Sequence, residues 1–134
     1  MSPARFVRIL EGHKRVALTG VVNSGKSLLL DYADLAGRKV VHTDDLRETP
    51  FEEKPARIQE ELEGLREFIV AGMQVPRALR KGLEVDAVVW INNPRTRLTP
   101  RQRGFSKGAR TILDKWRHEN PDIPVFWSGR ALRE

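Results

Sequence analysis

Between an apolar run, Val16-Ala17-Leu18-Thr19, and a helix-like run that opens Leu28-Leu29-Leu30, the chain reads GVVNSGKS over Gly20 to Ser27. No other stretch restricts the backbone as tightly. Glycines at both ends, Gly20 and Gly25, let the main chain bend sharply and approach a bound group closely. A helix starting directly behind them turns its first amides toward the same point. The amides of Val22, Asn23, Ser24, Gly25, Lys26, Ser27 and Leu28 then offer a concave set of donors to an extended anion such as a phosphate chain. Lys26 adds a point charge near the terminal phosphates, and the Ser27 hydroxyl is placed to hold Mg2+. A strand before and a helix after is the context that G-x-x-x-x-G-K-[ST] spacing requires. The alternative is a glycine-rich turn carrying an accidental lysine.

A chain of 134 residues has room for one domain with one core, here expected to span 1–134. It contains no cysteine, so disulfides and thiolate-bound metals are excluded, as suits a reducing compartment. His13, His42 and His118 have no metal-ligand spacing. No apolar run approaches the roughly 20 residues of a bilayer span. The N-terminal SPARFVRILEGHK has no signal-peptide core. These features predict a soluble, cytoplasmic protein with no membrane partner. The net charge of +6 is uneven: Arg95 to Arg117 holds eight basic residues against a single acid, Asp114.

Apolar β-branched runs alternate with helical periods along the rest of the chain. Strands are expected at Arg15–Thr19, Lys39–Thr43, Glu67–Ala71, Val85–Ile91 and Val125–Ser128. Helices are expected from Gly25 to Ala36, closed by Gly37; from Pro55 through Ile58, Leu62 and Leu65; over Pro76–Lys81; and from Pro100 to Glu119. Thr99 and Gln102 have capping-box spacing at the start of the last helix. Continuously apolar strands separated by helices predict a parallel sheet covered on both faces, a three-layer α/β fold. Ligands on such sheets bind beyond the carboxyl ends of the strands, where Gly20 to Ser27, Asp44-Asp45, Gly72-Met73 and Asn92 to Arg97 would converge.

A nucleotide site also needs an acid at a strand end, to hold the magnesium shell or to take a proton from an attacking hydroxyl. Strand three ends in Ala71-Gly72 and strand four in Asn92-Asn93, leaving Asp44 and Asp45 at the tip of strand two. Asp44, closer to the strand end, is the first choice for base and for a magnesium-shell role; the bland reading of the pair is an Asx turn or helix cap. In the basic segment, Phe105, Ala109, Ile112, Leu113 and Trp116 form an apolar stripe, with Arg103, Lys107 and Arg110 opposite. Arg95 and Arg97 directly follow a strand end, where they can neutralise charge developing during transfer, with Arg103 a further contact to the nucleotide. The same positive charge also permits a polynucleotide acceptor held through its phosphates. Trp90, Trp116 and Trp127 sit on apolar faces and are not interleaved with the basic residues, so they read as core.

Phosphate loop, HTDD strand tip and basic segment occur in the order of the P-loop kinase group of nucleoside-triphosphate-binding proteins, which the chain resembles. VVHTDDLR is similar to the region of phage polynucleotide kinase and zeta-toxin-like kinases in which an aspartate activates the acceptor hydroxyl. VPRALRK, DAVVWINNPR and LTPRQRGFSKGARTI are similar to small phage-encoded proteins labelled AAA-family or P-loop ATPases. The resemblance implies a three-layer α/β/α P-loop NTPase fold with a five-stranded parallel sheet in the order 2-3-1-4-5. It also implies ATP or GTP with Mg2+, a bacterial or phage-infected host cell, and a base contact from the loop holding Arg130. Ala71 departs from the group, which has an acid there. Three functions follow: a phosphotransferase acting on a hydroxyl acceptor, such as a nucleotide or polynucleotide; a nucleotide-hydrolysing or nucleotide-sensing protein with slow turnover; and a structural or regulatory phage protein that retains the loop.

Overall fold

The computed structural model describes residues 1–46, 48–92 and 94–128. Their elements run α1 (Pro3–Gly12), β1 (Arg15–Gly20), α2 (Lys26–Tyr32), β2 (Lys39–His42), α3 (Lys54–Leu62), β3 (Phe68–Ala71), α4 (Val75–Arg80), β4 (Ala87–Ile91), α5 (Pro100–Glu119) and β5 (Val125–Ser128). Two 3-10 turns, Thr43–Leu46 and Phe51–Glu53, connect β2 to α3. All five strands are parallel, in the order β2-β3-β1-β4-β5. The α/β class and the strand order are as expected.

The period of two along each strand divides the core. Val16 and Leu18 of β1, Ile69 and Ala71 of β3, and Val89 and Ile91 of β4 pack with Phe6, Ile9 and Leu10 of α1 and Leu29 and Leu30 of α2. The intervening Ala17, Val70, Val88 and Trp90 pack with Ile58 and Leu62 of α3, Leu79 of α4 and Leu113 and Trp116 of α5. The sheet is thus the middle of three layers. Among the described residues no helix is long and apolar enough to cross a membrane.

The first helix is not among the expected elements, although its signals are present. Ser2 caps it by accepting a hydrogen bond from the Arg5 amide at 3.2 Å, and Pro3 occupies the first turn. At its other end Arg38 donates to the carbonyls of His13 at 2.6 Å, Lys14 at 2.9 Å and Leu10. The sheet needs this helix because α2 is short. It ends at Tyr32 rather than Ala36: Asp34 accepts the Ala36 amide at 3.0 Å, and Ala36 and Gly37 take positive φ of 55° and 72°. A local Asx turn outcompetes helix continuation there. In the same way β2 stops at His42 because Thr43 enters the 3-10 turn, Leu65 lies beyond α3, and β4 begins at Ala87 rather than Val85. The capping box of α5 forms as expected, Thr99 Oγ1 accepting the Gln102 amide at 3.2 Å and Gln102 Oε1 the Thr99 amide at 2.9 Å.

Two aromatic expectations change. Trp90 and Trp116 are core, but Trp127 on edge strand β5 is half-buried, with the guanidinium groups of Arg110 and Arg117 at 4.3 and 4.9 Å from its ring centre. Arg110 therefore lies at the flank of the α5 stripe, not opposite it, and its Nη1 donates to Asn92 Oδ1 at 3.3 Å. Basic and aromatic residues far apart in sequence do interleave here, through pairing of β4 with β5 and the placing of α5 beside them. Both arginines also pair with Asp114, so the exposed positive charge of the segment comes from Arg95, Arg97, Arg101, Arg103, Lys107 and Lys115.

Candidate functional site

The GVVNSGKS loop leaves the sheet at its middle. Gly20 pairs with Ile91, and the next amide, Val21, donates to the Ile91 carbonyl at 3.0 Å. A Cβ at Gly20 would overlap that carbonyl oxygen and stand 2.9 Å from the Ile91 nitrogen, so only glycine lets β1 and β4 approach here. Beyond it the chain bends through Asn23 at φ 57° and Gly25 at φ 83°. Asparagine tolerates this left-handed conformation, and its neighbours hold it: the Asn23 carbonyl accepts the Arg95 amide at 2.7 Å, and its Nδ2 donates to Thr96 Oγ1 at 3.2 Å. The Val22 amide donates to Ser106 Oγ of α5 at 3.0 Å. The helical pattern begins with Leu29 donating to the Gly25 carbonyl at 3.0 Å. The amides of Asn23, Ser24, Gly25, Lys26 and Ser27 have no acceptor among the described residues. They are the donors that such a bend leaves for an anion.

Lys26 extends over this bend. Its Nζ donates to the Val21 carbonyl at 2.9 Å and Ser24 Oγ at 3.0 Å, and lies 3.7 Å from Met73 Sδ. Burial lowers its pKa to about 8, opposed by the Asp44 carboxylate, which favours the charged form. The ammonium therefore stands among neutral acceptors, with one carboxylate near enough to act on it.

Asp44 reaches the loop by an indirect route. It lies in the 3-10 turn after β2, while β3 separates β2 from β1. The turn must fold over the end of β3, and Gly72 makes that possible. At φ 138° its amide donates to the Leu18 carbonyl at 3.0 Å, and a Cβ there would overlap Thr43 Oγ1 and lie 3.0 Å from Thr43 Cβ. Thr43, buried, accepts the Gln74 amide at 3.4 Å. Ala71 in turn has its side chain in the core shared with α1 and α2, so a carboxylate at that position would be buried in apolar surroundings.

A recess of about 680 Å³ opens above the loop, lined by Val22, Asn23, Ser24, Gly25, Lys26, Ser27, Leu28, Asp44, Met73, Arg95 and Thr96. Nine of these are expected site residues, brought together from β1–α2, the β2 turn and the β4–α5 loop. Gly20 lies beneath the loop as a structural element. Asp45, Arg97 and Arg103 do not line the recess, and Arg103 Nη1 donates to the Leu98 carbonyl at 2.7 Å. Arg130 lies outside the described residues. Met73 and Thr96 belong to the strand-end segments expected to converge at this rim, though neither was assigned a role; Ser106 is an addition. Ser106 has a sequence signal of its own, as the polar member of the otherwise apolar stripe through Ala109, Leu113 and Trp116.

A larger recess of about 750 Å³ lies between α4 and α5 near the amino ends of the strands, lined by Arg15, Leu83, Glu84, Ile112 and Trp116 among others. Gly82 bends its wall at φ 104°, but the amides of Lys81, Gly82 and Leu83 are already bonded to the carbonyls of Arg77, Leu79 and Ala78, so size alone does not locate the chemistry. Among the described residues no group of three or more acidic or histidine side chains could hold a metal by itself. Mg2+ bound by few protein ligands plus substrate phosphates and water needs no such group. Ser27 and Asp44, both exposed on the rim, fit that role. No protein-family model, curated protein or solved structure matches the chain, and its affinities rest on the geometry above.

Proposed function

We propose that the chain is a P-loop phosphotransferase that binds ATP or GTP with Mg2+ and moves the terminal phosphate to a hydroxyl acceptor. The observation that supports this reading best is the half-buried Lys26 ammonium, set over a bend of amides without acceptors among the described residues and sharing the recess with Asp44 from the turn after β2. The amides of Asn23 to Ser27 hold the β- and γ-phosphates, and Lys26 exchanges the Val21 carbonyl for a phosphate oxygen. Asp44 takes the acceptor hydroxyl proton as the acceptor oxygen bonds to the γ-phosphorus; the bond from that phosphorus to the bridging oxygen breaks, and the nucleoside diphosphate leaves. Ser27 and Asp44 would hold Mg2+, which would supply charge neutralisation on the phosphate oxygens. Arg95 stands at the rim to offset charge developing in transfer, with Arg97 two residues beyond.

One observation favours a second reading, a slow hydrolase or nucleotide sensor. The strand next to β1 ends in Ala71 and Gly72 and carries no carboxylate to orient a water. ADP formed in water alone supports that reading; ADP formed only with a hydroxyl acceptor supports phosphotransfer.

The primary test is calorimetric titration with ATP and GTP in the presence of Mg2+. Lys26→Ala removes a charge-assisted hydrogen bond to the terminal phosphates and is expected to weaken binding on the order of 10- to 100-fold. Equal affinity in variant and parent overturns the assignment.

Binding is also expected to depend on pH through the same side chain. With its pKa near 8, Lys26 in the empty site loses its proton in mild alkali, and a bound polyphosphate favours the protonated form. Nucleotide affinity should therefore hold to about pH 8 and then fall, approaching tenfold per pH unit, with proton uptake on binding. Stability of the ligand-free fold has the opposite sign. Between pH 8 and the ordinary lysine value of 10.5 the unfolded chain keeps a proton that the folded one has released, so this group stabilises the fold as pH rises. Titration in buffers of different ionisation enthalpy measures the uptake, and its absence at pH 9 refutes the coupling.

A further inference from the structure

The loop recess continues into a second space of about 370 Å³ between α2 and the start of the β4–α5 loop, lined by Leu28, Leu29, Tyr32, Ile91, Pro94 and Arg95 among others. Ser24, Gly25, Leu28 and Arg95 line both, so the two are contiguous. Their chemistry differs. The first is walled by amides, Lys26 and Asp44; the second is walled mainly by aliphatic side chains, the rings of Pro3 and Pro94 and the ring of Tyr32, with Met1 and Ser2 closing one side. Leu28 is 40% and Tyr32 75% exposed, two of the three large hydrophobic side chains that stand out in solvent among the described residues. Four residues apart on α2, they share one face of the helix. Solvent-facing apolar side chains at the edge of an anion cradle match a ligand whose charged end lies in one space and whose planar apolar end lies in the other.

We infer that this second recess takes the base of the bound nucleotide, with Tyr32 as the aromatic wall and Arg95 at the junction between base and phosphates. The inference rests on the nucleotide-binding reading of the loop and goes further: it gives the base a place in the fold and makes Tyr32 a binding residue. An aromatic ring stacks on any base, so Tyr32 contributes affinity without selecting between purines; the few polar groups in the recess leave that selection weak.

The test compares Mg-ATP with inorganic tripolyphosphate, which carries the same charged end and no base. The parent should bind Mg-ATP at least tenfold more tightly. Tyr32→Ala should remove about tenfold of ATP affinity and leave tripolyphosphate affinity unchanged, and Tyr32→Phe should restore ATP binding. The exposure of Tyr32 keeps the fold out of the comparison, and unchanged thermal unfolding of the variants confirms it. Equal affinity of the parent for the two ligands, or a Tyr32→Ala effect that is absent or equal for both, overturns the base site while the loop assignment stands. Failure of both ligands to bind the parent removes the loop assignment and this inference together.

Discussion

Asp44→Asn is expected to lower acceptor-dependent turnover by about 10²- to 10⁴-fold, the range removed with a general base. The amide is nearly isosteric and cannot take a proton, so the 3-10 turn and the buried Thr43 beside Gly72 keep their places. ATP affinity should stay within a few-fold at pH 7, where Lys26 remains charged. Above that the variant should lose affinity earlier than the parent, because the Asp44 carboxylate raises the Lys26 pKa against burial and its removal lets that value fall further below 8. Single-turnover transfer from labelled ATP reads the chemical step, and titration across pH reads the coupling. Unchanged transfer places the base elsewhere, with Asp45 the next candidate. Transfer lost together with binding at pH 7 makes Asp44 a binding group.

Gly20→Ala should have the largest effect on stability. The added methyl meets the Ile91 carbonyl oxygen and nitrogen, which are main-chain atoms of a paired central strand and cannot turn aside as a side chain would. Relief requires the end of β1 to separate from β4, breaking the Val21 to Ile91 hydrogen bond and moving the loop. A cost of about 3 kcal/mol or more is expected, a large part of the 5–15 kcal/mol that a domain of this size has in total. Thermal unfolding should shift down by roughly 10 °C or more. Gly104→Ala in the exposed first turns of α5 is the control. A Cβ there meets nothing within 4 Å, so that variant should be neutral or more stable by up to about 1 kcal/mol. Equal unfolding temperatures for the two variants contradict the role assigned to Gly20.

Sheet and helices were legible where the signal is repeated over many residues. β4 is apolar on both faces, and α5 combines a capping box with a long apolar stripe. The short elements were less legible. α1 is a single ten-residue amphipathic helix whose need arises only because α2 is seven residues long, and α2 is short because of an aspartate turn that its leucine run conceals. In the site, the loop residues and Asp44 and Arg95 were visible; Met73 and Thr96 were visible only as members of strand-end segments, and the contact of Ser106 was not. Apart from the polar Ser106 in its apolar stripe, none of these three has an unusual residue type or spacing, and each matters because of what lies opposite it.

The octapeptide, the glycine positions and the strand pattern determined by themselves that there would be an anion-sized bend at the end of a buried parallel strand. These are properties of neighbouring residues: allowed dihedrals, the first turn of a helix, the two faces of a strand. Only the tertiary structure decided what surrounds the bend. Placing β3 between β2 and β1 and ending it in a bare glycine brings Asp44 near Lys26; pairing β4 with β5 brings Trp127 under Arg110; and packing α5 on the sheet sets Ser106 against Val22 across 84 residues of chain. Such meetings follow from strand order and register, and no local preference encodes them.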